Sequence, residues 1–85
     1  MILKITRQKQ RTNEEKKEGS TELITEIYSG ENYKQIGGDA EIGNNTGIIL
    51  TSYDQHCEIT GEMIHYETLN AYLMNNEGKT IERII

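Results

Sequence analysis

Isoleucine and leucine have to build almost the whole core of this chain. Thirteen Ile, five Leu and three Met are its aliphatic supply across 85 residues, and Val, Phe and Trp are absent. A chain of that length makes one domain, residues 1–85, with a limited core and marginal stability. Its five tyrosines are the only aromatic residues, so they must supply bulk while each hydroxyl reaches water or a partner. Pairing two copies buries apolar area that one copy leaves exposed, which makes a homo-oligomer a natural expectation.

The placement of those few apolar residues predicts the elements. Ile2 to Thr6 reads as an N-terminal strand with Leu3 and Ile5 on one face. Residues 8–20, QKQRTNEEKKEGS, hold no apolar residue and predict a mobile basic loop at the tip of a hairpin. Thr21 to Tyr28 alternates Leu23, Thr25 and Ile27 against Ile24, Glu26 and Tyr28, the pattern of a strand. Residues 33–47, with four glycines, predict a weak hairpin or an irregular loop. Ile48 to Tyr53 is crowded with apolar residues on both faces and predicts a central strand. Cys57 to His65 alternates again, with Gly61 marking a bend.

Tyr66 to Asn76 predicts a helix, because Leu69, Tyr72, Leu73 and Asn76 follow helical spacing and Gly78 can cap its end. Lys79 to Ile85 alternates and predicts a last short strand, with a continuing helix as the runner-up. The expected class is therefore α+β: four or five mainly antiparallel strands with one short C-terminal helix packed on one face. A mostly β protein is the alternative.

Charge is distributed unevenly. The net charge is −5, yet residues 1–17 carry a balance of +4 and residues 18–85 a balance of −9. Six basic residues fall in the 4–17 segment, but no aromatic residue is interleaved for stacking and Glu14 and Glu15 oppose them. Direct nucleic-acid binding is not expected from so acidic a domain. The single cysteine excludes an intramolecular disulfide, no basic segment precedes an apolar run, and no run approaches the roughly 18–20 residues of a membrane span. A cytoplasmic location in the host cell is the expectation. The Ile, Asn, Lys and Glu bias resembles AT-rich coding, as in a low-GC bacterium or its phage.

Both histidines and the only cysteine fall in HCEITGEMIH, residues 56–65. Zinc wants about four N or S ligands. Neighbours on a strand point to opposite faces, so His56 and Cys57 do not share an ion, and Cys57 to His65 spans roughly 26 Å of strand. The same geometry separates a Cys/His nucleophilic pair. In IGGDAEIGNNTG no lysine follows the glycines as a phosphate loop requires, and the calcium-loop register is missing. No metal, cofactor or enzymatic activity is expected.

What remains is a non-enzymatic interaction protein, of the phage- or mobile-element-type inhibitor and regulator class that includes anti-defence proteins. It would dock a sheet edge, a helix face or an acidic surface on a protein partner, including a nucleic-acid-binding protein. The residues expected to carry docking are Glu58, Glu62 and Glu67, near the strand-to-helix junction, with Tyr66 as an aromatic anchor. The alternative is a small-ligand-binding homo-oligomer with a pocket near the Gly37–Gly47 loop, lined by Tyr33, Gly37, Gly38 and Tyr53.

Overall fold

The computed structural model describes residues 1–12 and 21–85. Every regular element among them is a strand, so the expected α+β class is corrected to all-β. In chain order the strands are β1 (Ile2–Thr12), β2 (Thr21–Ser29), β3 (Lys34–Ile36), β4 (Asp39–Ile42), β5 (Asn45–Ile49), β6 (Tyr53–His56), β7 (Met63–Met74) and β8 (Thr80–Arg83). They form two antiparallel sheets. The larger runs β2-β1-β7-β6, with β8 sharing the β6 edge of β7; the smaller is the meander β3-β4-β5.

The predicted helix at 66–76 is strand β7, hydrogen-bonded along its length to β1. Its helical appearance comes from a β-bulge. Thr6 pairs with Asn70 and Arg7 with Thr68, so Leu69 is the extra residue. Before the bulge Ile64, Tyr66 and Thr68 face inward, opposite Arg11, Lys9 and Arg7; after it Ala71 and Leu73 do, opposite Ile5 and Leu3. Switching parity in mid-strand breaks the period of two and leaves Leu69, Tyr72 and Leu73 at three-and-four spacing.

Three other expectations change. The segment 48–53 is not one central strand: β5 ends at Ile49 on the edge of the small sheet, and β6 begins at Tyr53. The centre of the large sheet is β1 and β7, which pair across eleven registered positions. Residues 57–62 close the β6–β7 hairpin instead of forming a strand, through bonds from Cys57 N to Glu62 O and from Gly61 N to Cys57 O. Finally, β1 continues through the polar Gln8–Thr12, because β2 pairs with it as far as Gln10 and β7 as far as Thr12, satisfying its backbone whatever its side chains are. The rest of the expected basic loop, residues 13–20, lies outside the described residues. The β1–β2 hairpin and the last strand, β8, are as expected.

The core lies where the two sheets face each other. Leu3, Ile5, Ala71 and Leu73 from the large sheet meet Ala40, Ile42, Ile48 and Leu50 from the meander side. Each large aliphatic side chain there contributes about 1.5–3 kcal/mol by leaving water. One backbone bond joins the meander to the segment that leaves β2, from Gly43 N to Glu31 O, while Gly30 N, donating to Met1 O, adds a last rung to the β1–β2 ladder beside it. There Gly30 and Gly43 touch, such that a Cβ on Gly30 would sit 2.6 Å from the Gly43 Cα. The large sheet extends beyond the meander, and the molecule measures 44 × 21 × 19 Å.

Candidate functional site

The inward face of β1 runs Leu3, Ile5, Arg7, and the third of these is an arginine only 1 % exposed. Removing a guanidinium from water costs several kcal/mol unless partners replace the solvent. Four do so. Arg7 Nε donates to Glu26 Oε2, one terminal nitrogen donates to Thr68 Oγ1 at 2.6 Å and to the Thr51 carbonyl at 3.2 Å, and the other donates to the Ile49 carbonyl. The guanidinium also lies over the Tyr53 ring, 5.2 Å from its centroid. Arg7 thereby joins β2, β7 and the segment linking the sheets.

Glu26 has a second partner, since the Tyr28 hydroxyl donates to its Oε1 at 2.6 Å. Burial, with the bond to Glu26 next, pushes the Tyr28 phenol up to about 12. Burial likewise raises Tyr53 and Tyr33. Beside this cluster an open cleft of about 460 Å³ runs between β2 and β5, with Arg7 in its floor, Glu26, Tyr28 and Tyr53 on its walls, and Asn44–Ile49 along the other side. The donors of Arg7 are directed at protein atoms, so the arginine acts here as a structural cross-link and not as an anion receptor.

The residues expected to carry docking do not share one surface. Tyr66 faces inward and stacks on Tyr53, with ring centroids 4.9 Å apart. Its neighbour Glu67 points to the opposite, outer face, across from Gln8. Glu58 is exposed in the β6–β7 loop, and Glu62 is engaged by Arg11 at 3.5 Å. Of the alternative set, Tyr53 lines the cleft, whereas Tyr33 packs on the core and Gly37 and Gly38 form the β3–β4 turn.

The basic segment is also divided: Lys4 is exposed, Arg7 is buried, and Lys9 pairs with Glu22 at 3.5 Å. His65 Nδ1 lies 2.6 Å from Asp54 on the outer face, away from Cys57, whose thiol is held below its usual range by hydrogen bonds with Thr60. Among the described residues no group of three His, Cys, Asp or Glu is placed to hold a metal ion. No helix there is long and apolar enough to cross a membrane.

A different surface is open. β2 is the outermost strand of the large sheet and is nine residues long, whereas the other edge strands have three to five. Among the described residues no strand pairs with its outer side. Leu23 and Ile27 project from its outer face, 70 % and 65 % exposed. The alternation that placed Leu23 and Ile27 on one face was readable in the sequence; which face the core would cover was not. Comparison with family models, with curated proteins and with solved structures finds no match to this chain.

Proposed function

We propose that this chain is a non-enzymatic interaction protein that docks a protein partner along the free edge of β2, as an inhibitor or regulator of the kind carried by phages and mobile elements. The observation that supports this reading is the combination of a long edge, unpaired among the described residues, with Leu23 and Ile27 exposed beside it. Natural sheets protect such edges with Pro, charged side chains, a bulge or a short length. β2, TELITEIYS, has no Pro, no Lys and an unbroken register against β1. Its two charges, Glu22 and Glu26, lie on the face opposite Leu23 and Ile27, Glu26 being paired with Arg7. An edge of this type takes an added strand, with main-chain bonds giving affinity and alternate side chains giving specificity. The size and acidity of the chain support the inhibitor class.

The test is native mass determination of the protein purified from its own source, as wild type and as the Leu23→Lys, Ile27→Lys double variant, with circular dichroism confirming that both fold. The wild type should carry a bound protein subunit that the variant has lost. A bare wild-type monomer, or a variant that keeps its partner, overturns the reading.

A second reading is favoured by the cleft between β2 and β5. Its volume of about 460 Å³ falls in the range of roughly 300–1,000 Å³ typical of small-molecule sites. Glu26, Tyr28, Asn44 and Asn45 are its polar wall. A ligand held there raises the melting temperature, and Asn45→Trp, which fills the cleft, removes the rise.

A further inference from the structure

We infer that the occupant of the β2 edge is a second copy of this chain, paired antiparallel about a two-fold axis through Thr25. The inference rests on the reading above that the β2 edge takes an added strand, and assigns that strand to a second copy, with which any other protein partner must compete. The phase of the edge follows from one bond. Gly30 N donates to Met1 O, and the β1–β2 register continues without a break from Ile2 opposite Ser29 to Gln10 opposite Thr21. In an antiparallel ladder the bonded residues alternate, so the even-numbered residues of β2 turn their N–H and C=O toward β1. The odd-numbered ones, Thr21, Leu23, Thr25, Ile27 and Ser29, turn theirs to the free edge.

A two-fold axis perpendicular to the sheet pairs residues of equal parity and continues both faces of the sheet into the second copy. Centred on Thr25, it aligns all nine residues of β2. Leu23 then lies opposite Ile27 of the second copy, and the reverse, with Thr25 opposite Thr25 between them on the outer face. On the inner face Glu22 meets Tyr28 and Ile24 meets Glu26. Every exposed aliphatic residue of the strand finds an aliphatic partner, and no charge faces its like.

Neighbouring registers fail on charge. Centring on Ile24 sets Glu22 against Glu26, and centring on Glu26 sets Glu26 against itself, which is destabilising for carboxylates directly opposite each other. Centring on Leu23 or Ile27 leaves only part of the strand paired. The Thr25 register forms about ten main-chain hydrogen bonds, the number found in a typical complete protein–protein interface. It also sets the two most exposed aliphatic side chains of β2 beside those of the second copy.

The experiment uses the purified full chain alone, in a Cys57→Ser background. Sedimentation velocity at micromolar concentration should give twice the 9.7 kDa chain mass. Leu23→Lys with Ile27→Lys puts cation opposite cation in both pairs and should weaken the dimer at least tenfold. Leu23→Lys with Ile27→Glu puts opposite charges there and should restore it, an outcome specific to this register. Thr25→Cys should crosslink to its own copy with a short bis-thiol reagent, whereas Thr21→Cys, separated from its copy by about 27 Å along the strand, should not. A monomer overturns the second copy as occupant; the docking reading is then decided separately by whether source-purified protein carries a different subunit. A dimer that crosslinks at Thr21→Cys but not at Thr25→Cys, or is not restored by the Lys/Glu pair, overturns the register.

Discussion

Arg7 and Glu26 meet across the β1–β2 ladder, two positions out of direct register and so on the same face, with the guanidinium buried on the core side and the carboxylate only partly covered. The pair closes the core at the point where the meander ends and the large sheet continues. It also accounts for the placement of Tyr53, whose ring covers the guanidinium from above.

Removing one member of a buried ion pair strands the other, which is more costly than never having had the pair. Arg7→Ala should therefore lower the unfolding free energy by about 3–5 kcal/mol, a large share of what a domain this small possesses. Arg7→Met combined with Glu26→Gln should recover part of that loss, because neither charge is then left alone. Urea titration of the three proteins measures both effects. A loss below about 1 kcal/mol for Arg7→Ala would show the pair to behave as if exposed.

Alkaline stability should reflect Tyr28. Its pKa is raised in the folded state to about 12 from the ordinary 10.0. Between those values the folded protein holds a proton that the unfolded chain has released. The stabilisation is complete below pH 10 and declines as pH rises toward 12. Tyr53 and Tyr33 shift in the same direction, so Tyr28→Phe isolates the contribution. Urea midpoints measured over this range should fall less steeply in Tyr28→Phe than in the wild type. Equal slopes would remove Tyr28 as the cause.

The contact between Gly30 and Gly43 predicts a graded series. Gly47 has φ +66° with open space where a Cβ would go, so Gly47→Ala should cost about 1–2 kcal/mol, from backbone conformation alone. Gly43 has φ +56° and a Cβ there would lie 2.9 Å from the Gly30 Cα. Gly43→Ala should cost clearly more, since a backbone segment must move as well. Gly30→Ala probes the same contact from the other side without a positive φ. Thermal melts of the three variants rank them, and a Gly47→Ala as damaging as Gly43→Ala would contradict the close-approach argument.

The bulge at Leu69 makes the sharpest distinction between a side chain and a backbone position. Leu69 is 40 % exposed, so Leu69→Thr should change stability by no more than about 1 kcal/mol. Deleting residue 69 removes the parity switch and turns Ala71 and Leu73 out of the core. The deletion variant should lose cooperative unfolding altogether, as seen by near-ultraviolet circular dichroism and a melt without a transition.

The parts of the fold legible in the sequence were those governed by unbroken local alternation. Ile2–Thr6, Thr21–Tyr28 and Lys79–Ile85 alternate cleanly, and each corresponds to a strand in the structure. Tyr66–Asn76 was misread because the bulge at Leu69 makes two half-strands of opposite parity resemble one helical stripe. Arg7 was read as one member of a basic arm, although its shared parity with Leu3 and Ile5 was the available signal that it faces the core. Glu58, Glu62, Tyr66 and Glu67 looked close in sequence, but a strand sends neighbours to opposite faces and a loop separates the rest.

By itself the sequence determined a small chain short of apolar bulk, with paired N-terminal strands and without a spelled metal, phosphate or nucleophile motif. Those properties depend on residue counts and on neighbours a few positions apart. Tertiary structure alone decided which face of each strand became core, where the parity switched, that a charged arginine would be buried, and which edge was left open. All four depend on pairing between residues far apart in the chain, such as Arg7 with Thr68, Glu26 and Ile49. Local periodicity assigns two faces to a strand but carries no term for what lies on either side of it.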